Sequence, residues 1–64
     1  MNQQAVQYEY WRVECRRPWG RWYQCWYGSE AAATRARDVL AEDGYEAGLP
    51  WRCSEAEFEA WRAG

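Results

Sequence analysis

The residues able to do chemistry in this chain are three cysteines, eight arginines and a surplus of carboxylates, and no His or Lys accompanies them. Without those two bases, proton transfer at neutral pH falls to a carboxylate of raised pKa. The carboxylates Asp38, Glu42, Asp43, Glu55 and Glu59 sit where solvated helix faces are expected. Ser29 and Ser54 each precede an acidic, alanine-rich stretch and read as helix caps, not nucleophiles. The chain has 64 residues and little room for a deep pocket. No enzymatic activity is expected, and no catalytic residue is assigned.

The cysteines, Cys15, Cys25 and Cys53, are ten and 28 positions apart. Structural zinc sites use closely spaced pairs such as Cys-x2-Cys, usually completed by His, so neither a metal nor another cofactor is expected. An odd number of cysteines fits no disulfide framework. All three are expected to be free thiols acting as small buried hydrophobes. Cys15 and Cys25 fall on diagonal positions of the hairpin described below, with backbones about 7–8 Å apart. On that basis the pair is expected never to bond. The start, Met1-Asn2-Gln3-Gln4, is uncharged and has no apolar run behind it. A cytoplasmic protein without a membrane partner is expected.

Arginine and aromatic side chains form the other chemically informative set. Twelve residues are aromatic, six of them Trp. One small core rarely absorbs so many rings, and Trp is enriched at interfaces. Arg stacks on aromatic faces and forks onto carboxylates and phosphates. Net charge is −2, unevenly placed. Residues 1–29 carry four Arg against Glu9 and Glu14, whereas residues 30–64 carry eight acids against four Arg.

The elements that must position these groups follow β-β-α-β-α. One α+β domain is expected over residues 1–64, with a loose segment at 1–6. Residues 7–16 and 21–27 are aromatic-rich strands, and Arg17-Pro18-Trp19-Gly20 between them has turn chemistry. A three-residue loop closed by a left-handed Gly20 pairs Cys15 with Tyr23, Val13 with Cys25 and Trp11 with Tyr27 on an apolar face. The other face pairs Arg16 with Trp22, Glu14 with Gln24 and Arg12 with Trp26. Other loop lengths sort apolar from polar residues less well.

A helix is expected over 30–43, capped by Ser29, stopped at Gly44, with an apolar stripe of Ala32, Ala33, Ala36, Val39 and Leu40. Residues 45–53 alternate, which puts Tyr45, Ala47, Leu49, Trp51 and Cys53 on one side of an edge strand containing Pro50. Ser54-Glu55-Ala56-Glu57 is a capping box that opens a short helix over 55–62, with Phe58 and Trp61 on one stripe. The expected sheet has three mainly antiparallel strands in the order 2-1-3, with 1-2-3 as the alternative.

A partner surface is expected on the outer hairpin face and tip: Tyr10, Arg12, Arg16, Arg17, Trp19, Trp22 and Trp26. These are hot-spot residue types, so a non-enzymatic module that binds a host or cellular protein is the first expectation. The alternatives are a single-stranded nucleic-acid binder using the same face, a self-associating dimer, and an acidic nucleic-acid mimic using Asp38, Glu42, Asp43 and Glu46. The C-terminal helix is the element that could cover the hairpin face instead.

No family motif carries functional residues over to this chain. Residues 22–47, a strand, a Ser-capped helix and Gly-Tyr-Glu-Ala, look like many short α+β proteins, including one half of a peptidoglycan-binding sporulation-related repeat. In size, Trp content and lack of catalytic groups the chain is similar to small phage or mobile-element proteins that inhibit host machinery, anti-CRISPR proteins among them.

Overall fold

A computed structural model describes residues 8–64; the segment 1–6, expected to be loose, lies outside the described residues. Strand β1 (Tyr10–Arg16) and strand β2 (Tyr23–Tyr27) form an antiparallel hairpin. Helix α1 (Glu30–Glu42) follows, then the short strands β3 (Glu46–Ala47) and β4 (Trp51–Cys53), and finally helix α2 (Glu55–Ala63). β1 lies at the centre, flanked by β2 on one side and by β3 and β4 on the other, all antiparallel to it. This α+β sheet has the expected order 2-1-3, with the third strand broken in two. No helix among the described residues is long and apolar enough to cross a membrane.

The hairpin register is the expected one: Val13 opposes Cys25, Cys15 opposes Tyr23, and Arg12 opposes Trp26. The turn differs in its detail. Gly20 N–H donates to Arg17 C=O at 2.8 Å, but the left-handed residue is Trp19, with φ 70°, and not Gly20. Proline at the second position and positive φ at the third are the marks of a type II turn. Glycine at position 20 relieves a tight approach. A Cβ there would lie 3.1 Å from the Arg17 carbonyl oxygen.

Both helices begin and end by local chemistry. The Ser29 hydroxyl accepts from Ala32 N–H at 3.1 Å. At the other end of α1, Gly44 has φ 91°, Gly44 N–H donates to Ala41 C=O and Tyr45 N–H to Leu40 C=O. This is a Schellman stop. At α2, Glu57 N–H donates to the Ser54 hydroxyl and the Glu57 carboxylate accepts from Ser54 N–H, both at 3.1 Å.

α1 packs against β1, β2 and β3 and creates an inner face where Val13 and Ala33 are fully buried. The expected apolar stripe is only partly used. Ala36 and Leu40 are half-buried, Ala32 is exposed and Val39 is 51% exposed. Small alanines bring one flank of the helix close to the sheet and leave the other in water.

The break in the third strand changes which face its residues occupy. Cys15 opposes Ala47, and Arg12 opposes Trp51. Between those pairs, Val13 and Glu14 on β1 face Gly48, Leu49 and Pro50. One extra residue is a β-bulge, and it reverses the alternation beyond it. Ala47 therefore shares the inner face with Cys15, whereas Trp51 and Cys53 share the outer face with Arg12 and Tyr10. The uniform side expected for Ala47, Leu49, Trp51 and Cys53 is replaced by a crossover at Pro50, whose missing N–H ends the β3 ladder.

Candidate functional site

Outer-face residues from three strands alternate guanidinium and indole groups. Near the hairpin tip, the Arg16 guanidinium lies 4.7 Å from the Trp22 ring centroid. Arg16 Nε also donates to the Glu46 carboxylate at 2.8 Å. Further along, the Arg12 guanidinium lies between two indoles, 4.4 Å from the Trp51 centroid and 5.8 Å from that of Trp26. A groove of about 280 Å³ runs beside it, lined by Arg12, Glu14, Gly48, Leu49 and Trp51. Such stacks contribute about 0.5–1 kcal/mol each where exposed.

α2 covers one end of this face. Phe58 meets Tyr10 at 5.1 Å and Trp26 at 5.3 Å between ring centroids, and Trp61 meets Trp26 at 5.7 Å. Desolvation here, reinforced by the Glu55 and Glu59 carboxylates, raises the Tyr10 pKa. The Trp26 indole N–H is buried with no hydrogen-bond partner among the described residues.

The expected site residues therefore divide into three groups. Tyr10 and Trp26 belong to a small aromatic cluster beneath α2. Arg12, Arg16 and Trp22 remain on the open part of the face, with Trp22 52% exposed. Arg17 turns to the inner face, where its Nε donates to the Tyr45 hydroxyl at 3.1 Å and its guanidinium lies 5.6 Å from that ring's centroid. Trp19 stands at the tip, fully exposed.

Trp51 is the residue that sequence reasoning missed. Period-two counting across Pro50 put it on the same side as Ala47, but it is exposed on the opposite, outer face beside Arg12. Gly48 and Pro50, both unusual within a strand, are the signal of the bulge that turns it outward. The acidic quartet also divides. Asp38, Glu42 and Asp43 are exposed on or beside α1, whereas Glu46 pairs with Arg16 on the outer face.

The cysteines follow a different geometry from the one expected. All three are free, but the Cys15 and Cys25 sulfurs lie only 3.7 Å apart. Diagonal backbone spacing did not anticipate this approach. The right-handed twist of a hairpin swings one diagonal pair on each face together. Burial, with the Cys25 thiol beside it, raises the Cys15 pKa.

No protein-family model, curated protein or solved structure matches the chain.

Proposed function

We propose that this chain is a non-enzymatic protein-binding module whose contact surface runs from Trp19 at the hairpin tip across Trp22 and Arg16 to Arg12 and Trp51. Trp19 is the observation that carries the reading. Its ring is fully exposed, and its backbone holds a left-handed conformation that costs a non-glycine residue about 1–2 kcal/mol. Packing among the described residues returns nothing for that strain. Strained residues cluster at ligand clamps and binding loops, where function maintains them.

The neighbouring groups suit a protein partner. Trp and Arg dominate interface hot spots. Arg12 and Arg16 share their face with Glu14 and Glu46, and Arg16 is already paired with Glu46. A phosphate backbone would meet little net positive charge, and this favours protein over single-stranded nucleic acid. The finer reading is an inhibitor that occludes a surface of a cytoplasmic host protein, as small phage and mobile-element proteins do.

Capture from lysate, with and without nuclease, tests this reading when wild type is compared with Trp22→Ala. A protein retained by wild type after nuclease, and lost with the variant, is the expected result. Loss of every partner on nuclease treatment would transfer the surface to nucleic acid. Retention by both proteins would remove Trp22 from the contact.

A further inference from the structure

The inner face near the hairpin tip holds a second reactive feature, independent of the partner surface. Cys15 and Cys25 are in van der Waals contact, 3.7 Å between sulfurs. Both line an open recess of about 570 Å³ that also includes Arg17, Arg21, Tyr23 and Tyr45. Cys53 is set apart from them. It lies on the outer face opposite Tyr10 and its thiol donates to the Trp51 carbonyl at 3.8 Å.

We propose that Cys15 and Cys25 form a dithiol site that exchanges with small anionic disulfides of the oxidised-glutathione type and closes to a cross-link between β1 and β2. The recess supplies the recognition. Arg21 forms no ion pair and Arg17 engages only the Tyr45 hydroxyl among the described residues. Arg17 and Arg21 both line the recess, and their guanidinium groups are the candidates for docking carboxylates there. The ring of Tyr23, 62% exposed, adds an apolar wall.

Access orders the two chemical steps. Cys25 is half-buried, whereas Cys15 is only 4% exposed, so Cys25 meets the disulfide first. Its thiolate attacks one sulfur of the small disulfide, the S–S bond breaks, and one small thiolate leaves and takes a proton from water. Cys15 then gives its proton to solvent and attacks the Cys25 sulfur of the mixed disulfide. The second small thiol departs as the Cys15–Cys25 bond forms. The two electrons lost by the protein thiols end on the two small thiols. Closure brings the sulfurs from 3.7 Å to the bond length of about 2.05 Å, within reach of side-chain rotation. Burial raises the Cys15 pKa, so the second step accelerates with rising pH.

The test equilibrates the full chain in buffers of increasing oxidised-to-reduced glutathione ratio, quenches with acid, alkylates free thiols and maps them by mass spectrometry. Two of the three thiols should disappear together, with Cys53 still alkylated and a Cys15–Cys25 linked peptide recovered. Cys15→Ser should stop at a glutathione adduct on Cys25. Repeating the exchange in concentrated urea should abolish the preference for this pair. Three alkylatable thiols at the most oxidising ratio would overturn the proposal, as would an adduct confined to Cys53. Equal yield of the linked peptide in urea would also overturn it, because closeness in sequence would then suffice.

Discussion

Trp19 joins a left-handed backbone to a ring fully exposed among the described residues, and these two facts let the proposed binding role be tested apart from folding at one residue. Glycine is favoured at the third position of a type II turn and loses no packing here. Trp19→Gly should therefore raise folding stability by about 1 kcal/mol, read from the urea midpoint, while partner capture falls. A variant that is less stable would show that the indole packs within the chain. The sequence Arg-Pro-Trp-Gly announced a tight turn, but it fits a left-handed residue at either of its last two positions. The closed turn puts Trp19 in that conformation and Gly20 N–H on the Arg17 carbonyl at 2.8 Å. That contact exists only once the turn has closed.

The hairpin and both helices were legible as elements because independent local signals agreed. Turn length and face sorting selected one β1–β2 register. Ser29, Gly44 and the Ser54–Glu57 box marked helix ends by donors and acceptors that sequence alone identifies. The third strand was less legible. Alternation continues unbroken through Tyr45, Ala47, Leu49, Trp51 and Cys53, so the hydrophobic pattern masks the bulge that reverses it, and only Gly48 and Pro50 mark its place. The bulge moved Trp51 onto the outer face, and the proposed partner surface gained the indole that stacks on Arg12. α2 was expected as a possible cover for that face, but its reach depends on packing. It meets Tyr10 and Trp26, while Trp22 stays open. Ser54→Ala should cost about 1 kcal/mol by removing the cap and should red-shift tryptophan emission as the cover over Trp26 frays. Unchanged emission and stability would mean that α2 is held by its ring contacts alone.

Across the molecule, the apolar core of the described residues is small: Val13, Cys15, Ala33 and Cys53, with Val13 the largest fully buried side chain. Large apolar groups lie outside it on both sides of the sheet, among them Tyr23 and Val39 on one side and Trp22 and Trp51 on the other. A thin core with wide exposed aromatic surface gives a marginal fold, which the proposed partner would stabilise on binding. Alkaline pH tests the buried part. Burial raises the folded pKa of Cys15 and Cys53 above 9.0, and of Tyr27 above 10.0. Each group thus favours its protonated form more strongly when folded. Its contribution is fully present below the unfolded pKa and is lost as pH rises through the folded value. The urea midpoint should be flat through neutrality and fall above about pH 9. A fall beginning near neutrality would point to groups other than these.

The central claim is that the open arginine–indole face binds a partner without serving as core, and the affinity of Trp22→Ala for the captured partner tests it most directly. Titration calorimetry, run beside a urea unfolding curve of the same variant, separates the two roles. Loss of the Arg16 stack should change folding by no more than about 1 kcal/mol. Binding should weaken by about 2 kcal/mol or more, roughly 30-fold in Kd. Wild-type affinity in a folded Trp22→Ala protein would contradict the account.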